Sequence, residues 1–226
     1  MRIWGAGFSA AVVIAAALVA LPATAHAATP PVHAGTEIRV ADKICSLGFV
    51  LPGADGKAEG LTAGHCGNAG DVVTDRDGNR LGFVSESSGG LAGDIALIRF
   101  DGLPQGSLTT WVPFDDRMLP VLGSMSLAEV MESRPVLCKV GRSTGQSCGA
   151  VARTYASNAL QFVAPSDSGD SGAPVYAMGD GGVFAVGVLF GSSVDGRGVG
   201  TGEYTGITGL SDFASQWGIT VASPVG

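Results

Sequence analysis

The chain has 226 residues, a formal net charge of −7, 15% charged side chains and 36 glycines. This length suits one compact unit or two small ones sharing an interface, and the acidic balance argues against nucleic acid, which calls for basic patches. Abundant Gly, Val, Thr and Ser with few long helical patterns point to an all-β protein with tight turns.

Met1-Arg2 carries one basic side chain, an apolar run extends from Ala10 to Leu21, and two small-residue patterns follow, Ala23-Thr24-Ala25 and Ala25-His26-Ala27. Residues 1–27 therefore read as a secretory signal. The apolar run is too short for a membrane anchor and no second one follows, so the mature chain is expected to be soluble and free of the membrane. A Pro-rich lead-in, residues 28–35, comes next.

Strand-like runs then recur at short spacing: Ile44–Leu51, Gly60–Ala63, Asp71–Thr74, Arg80–Ser85 and Ile95–Phe100. Asp75-Arg76-Asp77-Gly78-Asn79 carries a hairpin signal between the third and fourth. From Asp101 to Arg134 the pattern breaks up around prolines, with a capping-box match at Ser126-Leu127-Ala128-Glu129 that suggests a helical turn. A second strand series follows: Val136–Lys139, Ala150–Tyr155, Leu160–Ala164, Pro174–Met178, Val183–Phe190 and Glu203–Ile207. Gly179-Asp180-Gly181-Gly182 reads as a hairpin turn. Leu210, Phe213, Ala214 and Trp217 share one face at helical spacing, and Gly218 can cap that helix. Short strands with turn chemistry between them suggest a barrel or sandwich.

Four cysteines in an exported chain read as two disulfides. Three connectivities are open, and pairing by proximity gives Cys45–Cys66 and Cys138–Cys148. A metal site is disfavoured because there is no C-x-x-C and His65 is the only histidine near a cysteine.

The stretch Pro165-Ser166-Asp167-Ser168-Gly169-Asp170-Ser171-Gly172-Ala173-Pro174 lies between two apolar runs. It is either a surface turn or a tight bend that holds the Ser171 hydroxyl out and aims the Gly169 and Ser171 amides at one point. A serine nucleophile needs a base. His26 falls in the signal and His33 in the lead-in, which leaves His65, at the end of an apolar run beside Cys66. The base in turn needs a carboxylate to hold its tautomer. Asp94 opens the most continuously apolar strand and can be drawn inward, whereas Asp71, Asp75 and Asp77 look like hairpin residues. The order His65, Asp94, Ser171 excludes an α/β-hydrolase, which requires a histidine after the nucleophile.

Thr62-Ala63-Gly64-His65-Cys66, Asp94-Ile95-Ala96-Leu97 and Gly169-Asp170-Ser171-Gly172 resemble the three signature blocks of the chymotrypsin-like serine proteases. Cys45-Ser46-Leu47-Gly48-Phe49 and the segment from Cys138 to Gly149 are similar to the bacterial streptogrisin and alpha-lytic protease branch. The resemblance spans residues 36 to 222. It implies an all-β fold of two antiparallel six-stranded barrels with a short C-terminal helix. Residues 36–112 would form the first barrel, 113–208 a linker and the second, and 209–226 the helix and tail. It also implies a secreted serine endopeptidase with His65, Asp94 and Ser171 as a triad, Gly169 and Ser171 as the oxyanion hole, and no cofactor or metal. Asp170 would be held by Lys139, with Arg142 as the alternative. The partner would be a peptide or protein substrate and the protein a monomer.

The chain departs from the family at Ala173, where a glycine is usual, and at Leu189 or Phe190, where a serine usually supports the catalytic Asp. A long pro-region is also missing. Pro165, Ser166, Leu189, Phe190 and Gly191 are expected around the specificity pocket, whose lack of charge favours a medium apolar side chain. The departures keep two other readings in view, a protease-fold binding protein with little turnover and an exported esterase.

Overall fold

In the computed structural model the described residues are 1, 31–89, 93–101, 103, 106–194 and 200–221. The expected export signal lies outside them. Two antiparallel sheets carry the fold. The first comprises β1 (Glu37–Val40), β2 (Lys43–Ser46), β3 (Val50–Pro52), β4 (Ala58–Thr62), β5 (Val72–Thr74), β6 (Arg80–Ser88) and β7 (Ile95–Phe100), in the order β2-β1-β5-β6-β7-β4-β3. Its two edge strands, β2 and β3, are joined by only Leu47-Gly48-Phe49. The sheet therefore curls round on itself as a half-barrel without a ladder between its edges.

After a small hairpin, β8 (Val112–Phe114) with β9 (Arg117–Leu119), the second sheet contains β10 (Val121–Ser124), β11 (Val136–Gly141), β12 (Gly145–Ala156), β13 (Ala159–Val163), β14 (Pro174–Gly179), β15 (Gly182–Val194) and β16 (Gly200–Gly209). β15 pairs with both β14 and β16, which closes a six-stranded barrel, and β10 lies parallel on β15 outside the ring. Each barrel buries its own apolar face: Ile38, Val40, Leu47, Val73, Val84 and Ile98 in the first, Leu137, Leu160, Phe162, Val175, Val186, Leu189 and Ile207 in the second. A third cluster lies between them and includes Phe49, Leu61, Ile95, Leu97, Tyr176, Val188, Leu210 and Phe213.

The expected all-β, two-barrel architecture holds, with seven strands rather than six in the first unit. The Ile44–Leu51 run is broken because the chain crosses there from one sheet edge to the other. Gly48 donates to Leu61 O at 2.6 Å, and a Cβ on it would come within 2.9 Å of Leu61 O and Gly172 O. The span expected as an irregular connection is structured. Besides β8–β10 it holds α1 (Leu127–Ser133), started by a complete capping box in which Ser126 Oγ accepts from Glu129 N and Glu129 Oε2 accepts from Ser126 N at 2.7 Å. α2 (Ser211–Trp217) buries Phe213 and ends at Gly218 as the periodicity predicts. Both expected hairpin turns form, at Asp75–Asn79 and at Gly179–Gly182. No helix among the described residues is long and apolar enough to cross a membrane.

Candidate active site

His65 lies in a one-turn 3-10 segment, Gly64–Cys66, directly after β4. Besides the Lys43 ammonium, which donates to His65 O, three ties hold that turn. The Cys45–Cys66 disulfide joins it to β2, and Ser87 Oγ donates to Gly64 O at 3.1 Å and Gly67 O at 2.9 Å. The third is Asp94, which grips His65 twice: Oδ2 accepts from Nδ1 at 2.7 Å and Oδ1 accepts from the backbone N–H at 2.7 Å. Gly64 allows the approach, since a Cβ there would sit 1.8 Å from Ser88 O and 3.0 Å from Asp94 Oδ1. Because the carboxylate accepts at Nδ1, that nitrogen carries the hydrogen, and in the neutral ring Nε2 is left with its lone pair.

Asp94 immediately precedes β7, and its side chain is 18% exposed against 43% for His65. Its backbone N–H donates to Thr208 Oγ1, a buried hydroxyl on β16, at 3.1 Å. No local pattern points to Thr208, whose partner lies 114 residues away.

Ser171 sits on a bend between two glycines in the positive-φ region, Gly169 at 95° and Gly172 at 88°, a conformation that costs other residues strain. Gly172 must also be bare, because a Cβ would lie 2.1 Å from Thr62 Oγ1. The bend is stitched to both barrels. Gly172 N donates to Leu189 O at 2.7 Å, Ser46 N donates to Ser171 O at 2.8 Å, and Ser46 Oγ donates to Gly169 O at 2.8 Å. Ser46, a residue that composition and spacing did not single out, thus couples β2 of the first barrel to the bend of the second. Thr62, three residues before His65, completes the junction by donating to Ser46 O at 2.9 Å.

The amides of Asp170 and Gly172 are spent on Asp167 O and Leu189 O. Among the described residues no acceptor meets the amides of Gly169 and Ser171, and no hydrogen bond joins Ser171 Oγ to His65 Nε2. The structure therefore brings Ser171 onto the segment that carries His65 without linking the two side chains, and such contacts are often long before substrate binds.

Asp170 and Lys139 are fully buried with 3.3 Å between Oδ2 and Nζ. Asp170 Oδ1 also accepts from Ser143 N at 2.7 Å and Thr144 N at 3.2 Å, and Oδ2 from Thr144 Oγ1 at 2.6 Å and Asp167 N at 3.1 Å. Burial pushes the Asp170 carboxyl up, but the Thr144 hydroxyl, the Ser143 and Asp167 amides and the Lys139 charge outweigh it and hold the pKa below the usual carboxylate range. Burial pulls the Lys139 ammonium below its ordinary value against the pull of Asp170. Arg142 takes a different partner, Glu37, at 2.8 Å. The second disulfide, Cys138–Cys148, ties β11 to β12 beside this ladder.

Of the residues expected around a specificity pocket, Leu189 turns into the second barrel's core, with 1% exposure, so its side chain does not line the cleft. Phe190 is half-buried with its ring where a side chain of Gly206 would stand, 2.6 Å from the position of a Cβ. Pro165 is exposed, Ser166 is buried, and Gly191 is half-buried. Cys45, Cys66 and His65 bring three potential ligand atoms within 4.8 Å of one another, but both sulfurs are committed to the disulfide.

No family model matches the chain. It is 32% identical over 209 residues to the uncharacterized protein Rv1815 of Mycobacterium tuberculosis, covering 85% of this chain and 87% of that one. Among solved structures, Nocardiopsis protease superposes with a TM-score of 0.67 at 25% identity, covering 85% of this chain and 99% of the other. Thermobifida fusca protease A gives 0.65 at 24% identity, covering 85% and 98%.

Proposed function

Since the chain belongs to the chymotrypsin-fold proteins of the bacterial streptogrisin and alpha-lytic protease branch, we propose that it is an exported serine endopeptidase. The observation that carries this reading is the double grip of Asp94 on His65, 2.7 Å at both the ring and the backbone. In the proposed reaction Ser171 Oγ attacks the scissile carbonyl and His65 Nε2 takes its proton. Asp94, fixed through Thr208, holds the ring and offsets the imidazolium charge. The Gly169 and Ser171 amides, without acceptors among the described residues, donate to the developing oxyanion. His65 then returns the proton to the departing amine, and water releases the acyl group by the reverse steps. Asp170 takes no part in the chemistry; its role is to hold the bend.

Export is supported by the signal-like residues 1–27 and by two disulfides, which persist in oxidising compartments. The substrate side chain next to the scissile bond is proposed to be uncharged and apolar, because Pro165, Ser166, Phe190 and Gly191 bring no charge to that wall.

A second reading, a protease-fold protein that binds peptides with little turnover, draws on the absence of a bond between Ser171 and His65 and on Phe190 in the wall strand. A fluorophosphonate separates the two. A peptidase is expected to take up one equivalent at Ser171 and to lose it in Ser171→Ala. Folded, disulfide-bonded protein that stays unlabelled would sink the peptidase reading. A peptide-library digest then reads the specificity.

A further inference from the structure

The leaving half of a substrate must lie on the His65 side of Ser171, because the imidazole returns its proton to the departing amine. That side is walled by β2, the terminal strand of its sheet. The Ser46 amide donates outward to Ser171 O, so alternation along the strand turns the amide and carbonyl of Ile44 to the same edge. Ile44 is 41% exposed.

Cations border this edge from both faces. On the face shared with Cys45, the exposed Lys43 ammonium donates to His65 O. On the other, Arg142 lies against Gly169, where an added Cβ would meet its Cδ at 3.0 Å and its Nη1 at 3.3 Å. Arg142 and Arg39 share one carboxylate, Glu37, at 2.8 Å and 3.4 Å. Within the β1–β2 hairpin Arg39 and Lys43 balance Glu37 and Asp42, and Arg142 adds one cation from outside it. This edge is therefore less acidic than the chain as a whole, whose net charge is −7, and cations placed beside a binding edge select an acidic partner.

We infer that this edge takes an acidic leaving segment, with Lys43 and Arg142 selecting substrates that carry Asp or Glu in the first few positions after the scissile bond. This rests on the peptidase reading and extends it. Arg142 keeps one face of its guanidinium for the substrate while its Nε stays on Glu37, and Lys43 turns from the His65 carbonyl to the incoming carboxylate.

Two peptides identical except for Asp-Glu or Asn-Gln directly after the scissile bond test it. As substrates at low ionic strength they are expected to differ about tenfold in kcat/KM in favour of the acidic one, the size of two partly exposed charge contacts. Lys43→Gln and Arg142→Gln should each remove about threefold of that preference, and added salt should erode it. As ligands of the Ser171→Ala protein, the acidic peptide should bind about tenfold tighter, independently of turnover. Equal or weaker binding of the acidic peptide overturns the inference, as does a preference that survives in both variants. Failure of the peptidase reading is a different result, a wild-type Ser171 that does not react with fluorophosphonate.

Discussion

Removing the countercharge of Asp170 tests whether the bend under Ser171 is held by electrostatics inside the protein. Lys139→Met is nearly isosteric and leaves Asp170 with its four neutral donors, the amides of Ser143, Thr144 and Asp167 and the Thr144 hydroxyl. Breaking a buried pair on one side costs about 3–5 kcal/mol. The surviving donors put this case near the lower end, about 3 kcal/mol, or roughly 6–12 °C in Tm for a chain of this size. Asp170→Asn strikes from the other direction: three of those four donors are backbone N–H groups that cannot accept from the amide nitrogen, which leaves it only the Thr144 hydroxyl, and Lys139 keeps only Thr144 Oγ1 and Gly145 O. Because both changes damage one ladder, the double variant should fall short of the sum by about 2 kcal/mol. Urea unfolding of the disulfide-intact protein reads these losses, and fluorophosphonate uptake reads the bend. A loss below about 1 kcal/mol in Lys139→Met, with unchanged labelling, would refute the idea that the pair holds the bend.

The remaining predictions concern single contacts. Asp170 has a depressed folded-state pKa, so its contribution to stability is complete above the unfolded value near 4 and is lost as pH falls through the folded value. Urea midpoints between about pH 5 and pH 2 should therefore fall steeply in the wild type and less steeply in Asp170→Asn. Thr208→Val leaves the Asp94 amide without its acceptor. It should cost about 1–2 kcal/mol by urea unfolding and slow Ser171 labelling, whereas Thr208→Ser should restore both. Gly64→Ala drives a methyl group into Ser88 O, 1.8 Å from the ideal Cβ. The shift of His65 should cut labelling on the order of 100-fold, and an unaffected rate would remove Gly64 from the list of residues that set the base. Replacing Cys45 and Cys66 by serine opens a loop of 21 residues. The expected cost is about 3 kcal/mol, measured as a drop in the urea midpoint.

What the sequence disclosed was whatever local chemistry decides. The Asp-Gly hairpin turn, the Ser126–Glu129 capping box and the α2 face each depend on residues within one or two turns, and each formed. Both disulfides followed from proximity, since 21 and 10 residues separate the paired cysteines. Strand breaks were harder to read. Nothing in Ile44–Leu51 marks Gly48 as a crossing point, because what forbids a side chain there is distant in sequence: Leu61 O in its own sheet, and Gly172 and Val188 on the other barrel. β1, β8, β9 and β10 were missed as strands because they are three or four residues long and take their stability from neighbours rather than from their own alternation.

The candidate site divides along the same line. Residue type and order were enough to single out His65, Asp94 and Ser171, because histidine is scarce and a serine nucleophile has strict needs. The residues that position them were out of reach. Ser46 reaches Gly169 across 123 positions and Thr208 reaches Asp94 across 114, and a buried hydroxyl that bridges barrels looks in sequence like any other polar residue on a strand. The same reasoning applies to Phe190. Sequence placed Leu189 or Phe190 where the family has a serine, which suggested that Asp94 loses a support. The structure supplies a hydroxyl from the adjacent strand instead: Thr208 opposes Val188, two residues before Phe190, and takes the Asp94 amide. With the Asp94 backbone fixed there and both carboxylate oxygens taken by the backbone and ring N–H of His65, the carboxylate stays oriented, so Phe190 should be felt mainly in which substrates fit the cleft and much less in the reactivity of Ser171. In Phe190→Ser, fluorophosphonate labelling at Ser171 should change by no more than a few-fold while the peptide-library profile shifts to larger side chains; faster labelling with an unchanged profile would reverse that assignment.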